Sequence, residues 1–184
     1  MMPVSALCGV CQIRPPRYVQ TLCPLEYAGV AEWLVGQMKY ARRLEATELL
    51  ANLLVAHVVT HVVDVPDVIV PMPLHPARLR WRGFNQAVEL ARPLAQALSL
   101  PLELSAVRRT RKTAEQAGLS ATQRKRNVKN AFAGDGNFAG KRIAIVDDVL
   151  TTGSTVNELA KSLQGAGCGD IQLWICARAS IRRK

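Results

Sequence analysis

The chain has 184 residues, 49% of them hydrophobic, and its 24 lysines and arginines against 14 acids leave a net charge of +10. That length suits one domain with its own core plus a small appendage, and so much apolar content excludes wholesale disorder. No apolar stretch reaches the length of a membrane span, and the opening Met1-Met-Pro-Val-Ser-Ala-Leu-Cys8 lacks the regions of a signal peptide. The expectation is a cytoplasmic protein whose charge suits an anionic partner, whether pyrophosphate, nucleic acid or both. Five cysteines, an odd number, do not read as a disulfide framework.

Residues 1–26 have scattered prolines and no clear period, and read as an appendage to a domain spanning 27–184. Gly29 to Val63 reads as helix in two pieces, broken near Arg42–Glu45, the second apolar enough to pack on a sheet. Pro66 and Asp67 punctuate, and Val68-Ile-Val70 is a buried strand. Pro71 to Asn85 reads as a basic loop holding His75, Arg78, Arg80 and Arg82, with Trp81 and Phe84 as core or interface anchors. Asn85 caps a helix to about Leu98, with a kink expected at Pro93. Ser105 to Val107 lies in a strand, and Arg108 to Gln123 reads as a mobile loop. Ser120-x-x-Gln123 resembles a capping box. Eight lysines and arginines against the single acid Glu115 occupy Arg108–Lys129, and Arg178, Arg182, Arg183 and Lys184 form a second basic cluster. Phe132 to Phe138 reads as a turn between short strands.

The most informative run is Ile143-Ala-Ile-Val-Asp-Asp-Val-Leu-Thr-Thr-Gly-Ser-Thr155. Ile143 to Val146 reads as a buried strand stopped by Asp147 and Asp148. Val156, Leu159, Ala160 and Leu163 then fall at helical spacing, in a helix to about Gly165. Between them Thr151, Thr152, Gly153, Ser154 and Thr155 would direct N–H groups and hydroxyls at one spot beside a helix N-terminus, which favours an anion. Gly153 has no Cβ to keep a phosphate away from its backbone. Asp147 and Asp148 would accept hydrogen bonds from a sugar diol, so one strand end carries both halves of a sugar-phosphate site. A last strand spans Ile171 to Ala177, and apolar strands alternating with helices predict a doubly wound, mostly parallel α/β sheet. Ligands bind such sheets at the carboxyl ends of strands.

This run closely resembles the phosphoribosyl diphosphate (PRPP) signature of type I phosphoribosyltransferases. The resemblance implies that Asp147 and Asp148 hold the ribose hydroxyls and that Thr151–Thr155 hold the 5′-phosphate. It places Pro71, Arg78 and Arg82 in a pyrophosphate loop. It makes Arg109 to Leu119 a loop closing over PRPP, with Arg111 and Lys112 bringing charge to the leaving pyrophosphate. Mg²⁺ would accompany PRPP.

P-M-P-L-H, R-x-R-G-F-N-Q-A, R-x-R-K-T-x-x-Q-x-x-L-S and R-x-x-N-x-x-x-A-F precede the acidic run in order. Together they are similar to the ComF/GntX family, linked to competence and DNA uptake, over about Tyr27 to Arg178. Gln116, Leu119, Arg124 and Asn127 match that family's middle motif. The family resemblance also implies a four-cysteine zinc module at the start, but here only Cys8-Gly-Val-Cys11 forms a C-x-x-C. Structural zinc takes four ligands. Either the chain starts downstream of the family's usual beginning or the module has decayed, and zinc at Cys8 and Cys11 would need further ligands. Two functional classes follow: a phosphoribosyltransferase using PRPP, or a non-catalytic module binding a phosphosugar or single-stranded DNA, with competence proteins as partners.

Overall fold

The computed structural model describes residues 9–13, 15–41, 43–111, 121–134 and 137–179. In chain order the elements begin with helix α1 (Gly9–Ile13), strands β1 (Gln20–Leu22) and β2 (Leu25–Glu26), and helix α2 (Val30–Gly36). A π-helical turn (Gln37–Ala41) and helix α3 (Leu44–His61) lead to β3 (Val68–Pro71), α4 (Pro76–Arg82) and α5 (Gln86–Leu98). Then come β4 (Val107–Arg109), α6 (Ala121–Val128), β5 (Phe132–Gly134), β6 (Ile143–Leu150), α7 (Ser154–Gly165) and β7 (Ile171–Arg178).

The main sheet is parallel, in the order β1-β7-β6-β3, with β2 following β1 along the outer edge of β7. Its central strands are continuous apolar runs because helices cover both faces. Side chains alternate between those faces. Val70, Ile143, Ile145 and Leu173 pack with Val156, Leu159 and Leu163 of α7. Ile69, Ala144, Val146 and Trp174 pack with Leu50 and Leu54 of α3 and Leu90 and Leu94 of α5. Burying one such large apolar side chain contributes roughly 1.5–3 kcal/mol. Trp174 is fully buried, with its indole N–H donating to Gln172 Oε1 at 3.2 Å. The doubly wound α/β architecture is therefore present. A small antiparallel pair, β4 with β5, stands apart from the main sheet.

The helix break before α3 and the start of α5 agree with expectation. Asn85 caps α5 by accepting from the Ala87 N–H at 3.0 Å, and the helix continues through Pro93 to Leu98. Four local readings change. Residues Gln20–Leu22 and Leu25–Glu26, expected to be irregular, are strands, because the β7 edge offers them partners that no short-range pattern announces. The basic segment after β3 contains a helix, α4, started by His75 and Pro76 and closed by Gly83 at φ 87°. The strand expected at Ser105–Val107 moves to Val107–Arg109, since Glu103 Oε1 takes the Ser105 and Ala106 N–H groups and forms a turn. Finally, Asp147 and Asp148 do not stop their strand. β6 runs on to Leu150 because β7 continues beside it, pairing Val149 with Ala177 and Leu150 with Arg178.

Candidate functional site

β3 pairs with β6 only as far as Val146, and the Met72 N–H donates to the Val146 carbonyl at 2.8 Å. Beyond that point Asp147–Leu150 overhang the end of β3. The overhang opens a cleft of about 410 Å³ at the carboxyl end of the sheet, where ligands of doubly wound folds bind. Asp147, Asp148, Thr151, Gly153, Ser154 and Thr155 all line it, as do Arg78 and Arg82.

The loop between β6 and α7 is built by one glycine. Gly153 caps α7 at φ 71°, a left-handed conformation that L side chains rarely adopt. A Cβ there would also meet Asn157 Nδ2 at 3.4 Å and the Tyr18 hydroxyl at 3.6 Å. The Gly153 carbonyl accepts from both the Asn157 N–H (2.8 Å) and its side-chain amide (3.0 Å), which anchors the turn to the first turn of the helix. Thr152 and Ser154 share a hydroxyl–hydroxyl hydrogen bond of 2.9 Å. Gly153 has no side chain to cap α7; the Thr152 hydroxyl accepts the Ser154 N–H at 3.5 Å, and Ser154, Thr155 and Val156 of the first turn line the cleft at the positive end of the helix. Thr152 itself is exposed and lies outside the cleft lining.

The two acids flank β6 because successive strand residues face opposite sides. Asp148 continues the Ala144–Val146 side and meets Lys39 of the π-helical turn, with Nζ to Oδ2 at 3.0 Å. Asp147 continues the Ile143–Ile145 side and feels the Arg109 charge from β4. Asp147 Oδ1 accepts the Asp148 N–H at 2.9 Å. Burial, followed by the charge of Asp148, raises the Asp147 carboxyl from its ordinary value to about 7. Burial pulls the Lys39 ammonium down, but the charge and hydrogen bond of Asp148 outweigh this and leave it raised.

The cationic wall differs in part from expectation. Arg82, 5% exposed, donates to Gln86 Oε1 at 2.6 Å and lies 5.8 Å from the centre of the Tyr40 ring. Arg109, 6% exposed, lies 5.5 Å from the Phe132 ring centre, and its guanidinium is lowered by burial and by Arg78 while staying charged. Pro71 is buried within β3 and does not line the cleft; Met72 and Leu74 do. Arg111 is exposed at the exit of β4, where it donates to the Lys129 carbonyl. His75 is occupied in capping α4, accepting the Ala77 N–H at 3.2 Å. Trp81, 62% exposed, and Phe84 lie outside the lining.

Sequence reading missed Lys39, Tyr27, Glu32 and Tyr40, all of which line the cleft, and it set Arg109 at the start of a mobile loop, whereas Arg109 lines the cleft from strand β4. Lys112, the rest of the expected loop to Leu119, Ser120, Cys8 and the cluster Arg182–Lys184 lie outside the described residues. Among the described residues, Cys11, Cys23, Cys168 and Cys176 form no disulfide, no group of three or more His, Cys, Asp or Glu is placed to hold a metal, and no helix is long and apolar enough to cross a membrane.

A family model for the phosphoribosyl transferase domain matches residues 85–184. DNA utilization protein YhgH of Escherichia coli K12 is 41% identical over 175 residues, covering 93% of this chain and 77% of that protein. Competence protein F of Haemophilus influenzae is 37% identical over 179 residues, covering 94% and 78%. The chain belongs to the ComF family of phosphoribosyltransferase-like proteins. Among solved structures, a purine phosphoribosyltransferase from Pyrococcus horikoshii aligns with 84% of this ComF-family chain and 75% of its own, at 18% identity and a TM-score of 0.42. The family model covers α5 through β7, and so takes in every β6, loop and α7 residue of the cleft in this ComF-family protein.

Proposed function

We propose that the cleft binds PRPP or a closely related phosphosugar. The observation that carries this reading is the pairing, in one cleft, of a hydroxyl-rich helix start with two buried acids on a strand overhang. Thr151, Gly153, Ser154 and Thr155 take the 5′-phosphate through N–H groups and hydroxyls. Asp147 and Asp148 accept from the ribose hydroxyls. Arg78, Arg82 and Arg109 supply positive charge for a diphosphate. Pro71 and Thr152 would act only through the backbone geometry they set, and Arg111 from the rim.

The chemistry that suits this arrangement is phosphoribosyl transfer. An acceptor nucleophile bonds to ribose C1 as the bond from C1 to the diphosphate oxygen breaks, and the electron pair leaves with pyrophosphate. The buried arginines are preorganised for the charge that develops on that leaving group. Asp147, Asp148 and Glu32 line the cleft, and among the described residues no three carboxylates, histidines or cysteines are grouped to hold a metal, so the donor set suits a hard cation held largely by the substrate's own phosphates. Mg²⁺ bound in that way would neutralise the diphosphate. A second reading, a non-catalytic module for a phosphosugar or single-stranded DNA, draws on the net charge of +10 and on relatives named for DNA utilization and competence. Those names also favour a role in DNA uptake alongside competence proteins.

Calorimetric titration with PRPP and Mg²⁺, each run repeated with single-stranded DNA as competitor, tests both readings. Native protein should bind PRPP, and Gly153→Val should lose that binding with its circular dichroism spectrum unchanged. PRPP affinity that survives Gly153→Val would remove the phosphate-loop assignment. Turnover with a screened set of nucleophiles would separate enzyme from module.

A further inference from the structure

The Lys39–Asp148 pair has no place in the readings above. Lys39 comes from the N-terminal half of the chain, on the π-helical turn between α2 and α3. Such turns are rare and often mark functional positions. Its side chain is 20% exposed and that of Asp148 only 5%, so the ion pair is largely removed from water. Ion pairs so placed lose much of their attraction to desolvation, and an apolar pair would staple the π turn to β6 at least as well. Lys39 is also a wall of the cleft, beside Tyr27, Tyr40 and Asp148 itself. A bare structural staple would not need to lie there.

Resting on the ribose reading of the cleft, we infer that Lys39 is a positioning residue of the ribose site, aiming the Asp148 carboxylate at a sugar hydroxyl and balancing the charge of the acid pair. The groups facing that pair are Lys39 from the π turn, Arg109 from β4, Cys176 from β7 and Tyr27 from the loop after β2. Of these, only Lys39 and Arg109 carry positive charge, one for each side of β6. Without Lys39, Asp147 would hold its proton more tightly, because the Lys39 charge opposes that proton. A protonated carboxyl offers fewer acceptor sites to a diol.

The test compares ribose 5-phosphate with inorganic phosphate, titrated by calorimetry into the full chain across the neutral pH range. Lys39→Met should weaken ribose 5-phosphate by about tenfold and inorganic phosphate by less than about twofold. The pH at which ribose 5-phosphate affinity reaches half its maximum should also move upward. Lys39→Arg, which keeps the charge, should recover most of the affinity and the native pH profile. A staple would lower thermal stability without moving either the ligand ratio or the pH profile, and that result overturns the inference. Tighter binding by Lys39→Met also overturns it, since the ammonium would then be only a competitor for Asp148. If Lys39→Met does not fold, Lys39→Gln is titrated under the same criteria. Native protein that gains nothing from the ribose over inorganic phosphate overturns the ribose reading itself, and Lys39's role with it. Native ribose-dependent binding left intact by Lys39→Met overturns Lys39's role alone.

Discussion

Asp147 is buried beside a second carboxylate, which disfavours its charged form. Burial and the neighbouring Asp148 charge raise its carboxyl from 3.8 to about 7. The folded state therefore binds that proton more tightly than the unfolded chain does. Stability from this group is greatest below 3.8 and declines as pH rises toward 7. Asp147→Asn removes the titration. Its unfolding free energy should exceed that of the native protein above pH 7, by on the order of 1 kcal/mol, and the advantage should vanish in acid. The same variant should bind ribose 5-phosphate more weakly than native protein, with inorganic phosphate little changed. Thermal melts at several pH values, paired with calorimetry, check both halves. A destabilised variant at high pH would show that Asp147 is a structural acceptor and carries no such cost.

At the scale of elements, one asparagine organises the cationic wall. Asn85 accepts the Ala87 N–H to start α5 and donates from its amide to the Met72 carbonyl at 3.1 Å. That second bond ties the start of α5 to the exit of β3, so α4, with Arg78 and Arg82, is pinned between two fixed points. Asn85→Ala removes the cap and one donor to a buried segment. Urea unfolding should show a loss of about 1–2 kcal/mol, with phosphate affinity reduced because α4 is no longer held. Asn85→Asp keeps the cap but not the bond to Met72, and should fall between the two. Equal stability of Asn85→Asp and native protein would show that the Met72 bond contributes nothing. The cap was legible in sequence because it is local. Helix α4 was not, since Pro76–Arg82 has too few apolar residues to show a helical face, with Leu79 and Trp81 both exposed. Only its terminal signals, proline at the start and glycine just past the end, could have revealed it.

The whole molecule carries +10, and this field acts on any polyanion as well as on small phosphorylated ligands. Weak, sequence-independent binding to single-stranded DNA is expected, with log K falling linearly against log salt concentration. Arg111→Ala should lower the magnitude of that slope by up to about one if Arg111 contacts a phosphate. Fluorescence anisotropy at several salt concentrations measures this, and adding PRPP shows whether cleft and DNA surface overlap. Displacement by PRPP places the strand across the cleft, while indifference to PRPP places it on the outer basic face. A slope near zero would remove DNA from the account and leave the charge to small phosphorylated ligands.

What the sequence determined by itself was contiguous. β6, the loop Thr151–Thr155 and α7 follow one another directly, so a continuous apolar run, a hydroxyl run and helical spacing could be read along one segment, and Asp147 and Asp148 with it. Alternating apolar strands and helices likewise foretold the doubly wound sheet, because burial on both faces leaves its mark on each strand separately. Tertiary structure decided which distant segments close the cleft. Lys39 and Tyr27 precede β3 and are ordinary residues in unmarked places of the sequence, while Arg109, expected at the start of a mobile loop, instead ends β4. They reach the acids because the sheet order is β1-β7-β6-β3 and because β6 outruns β3, leaving both faces of its overhang open to side chains. Strand order and overhang arise from long-range pairing. No local pattern records that pairing, since a strand's own residues specify which faces are buried but not which neighbour lies at its edge.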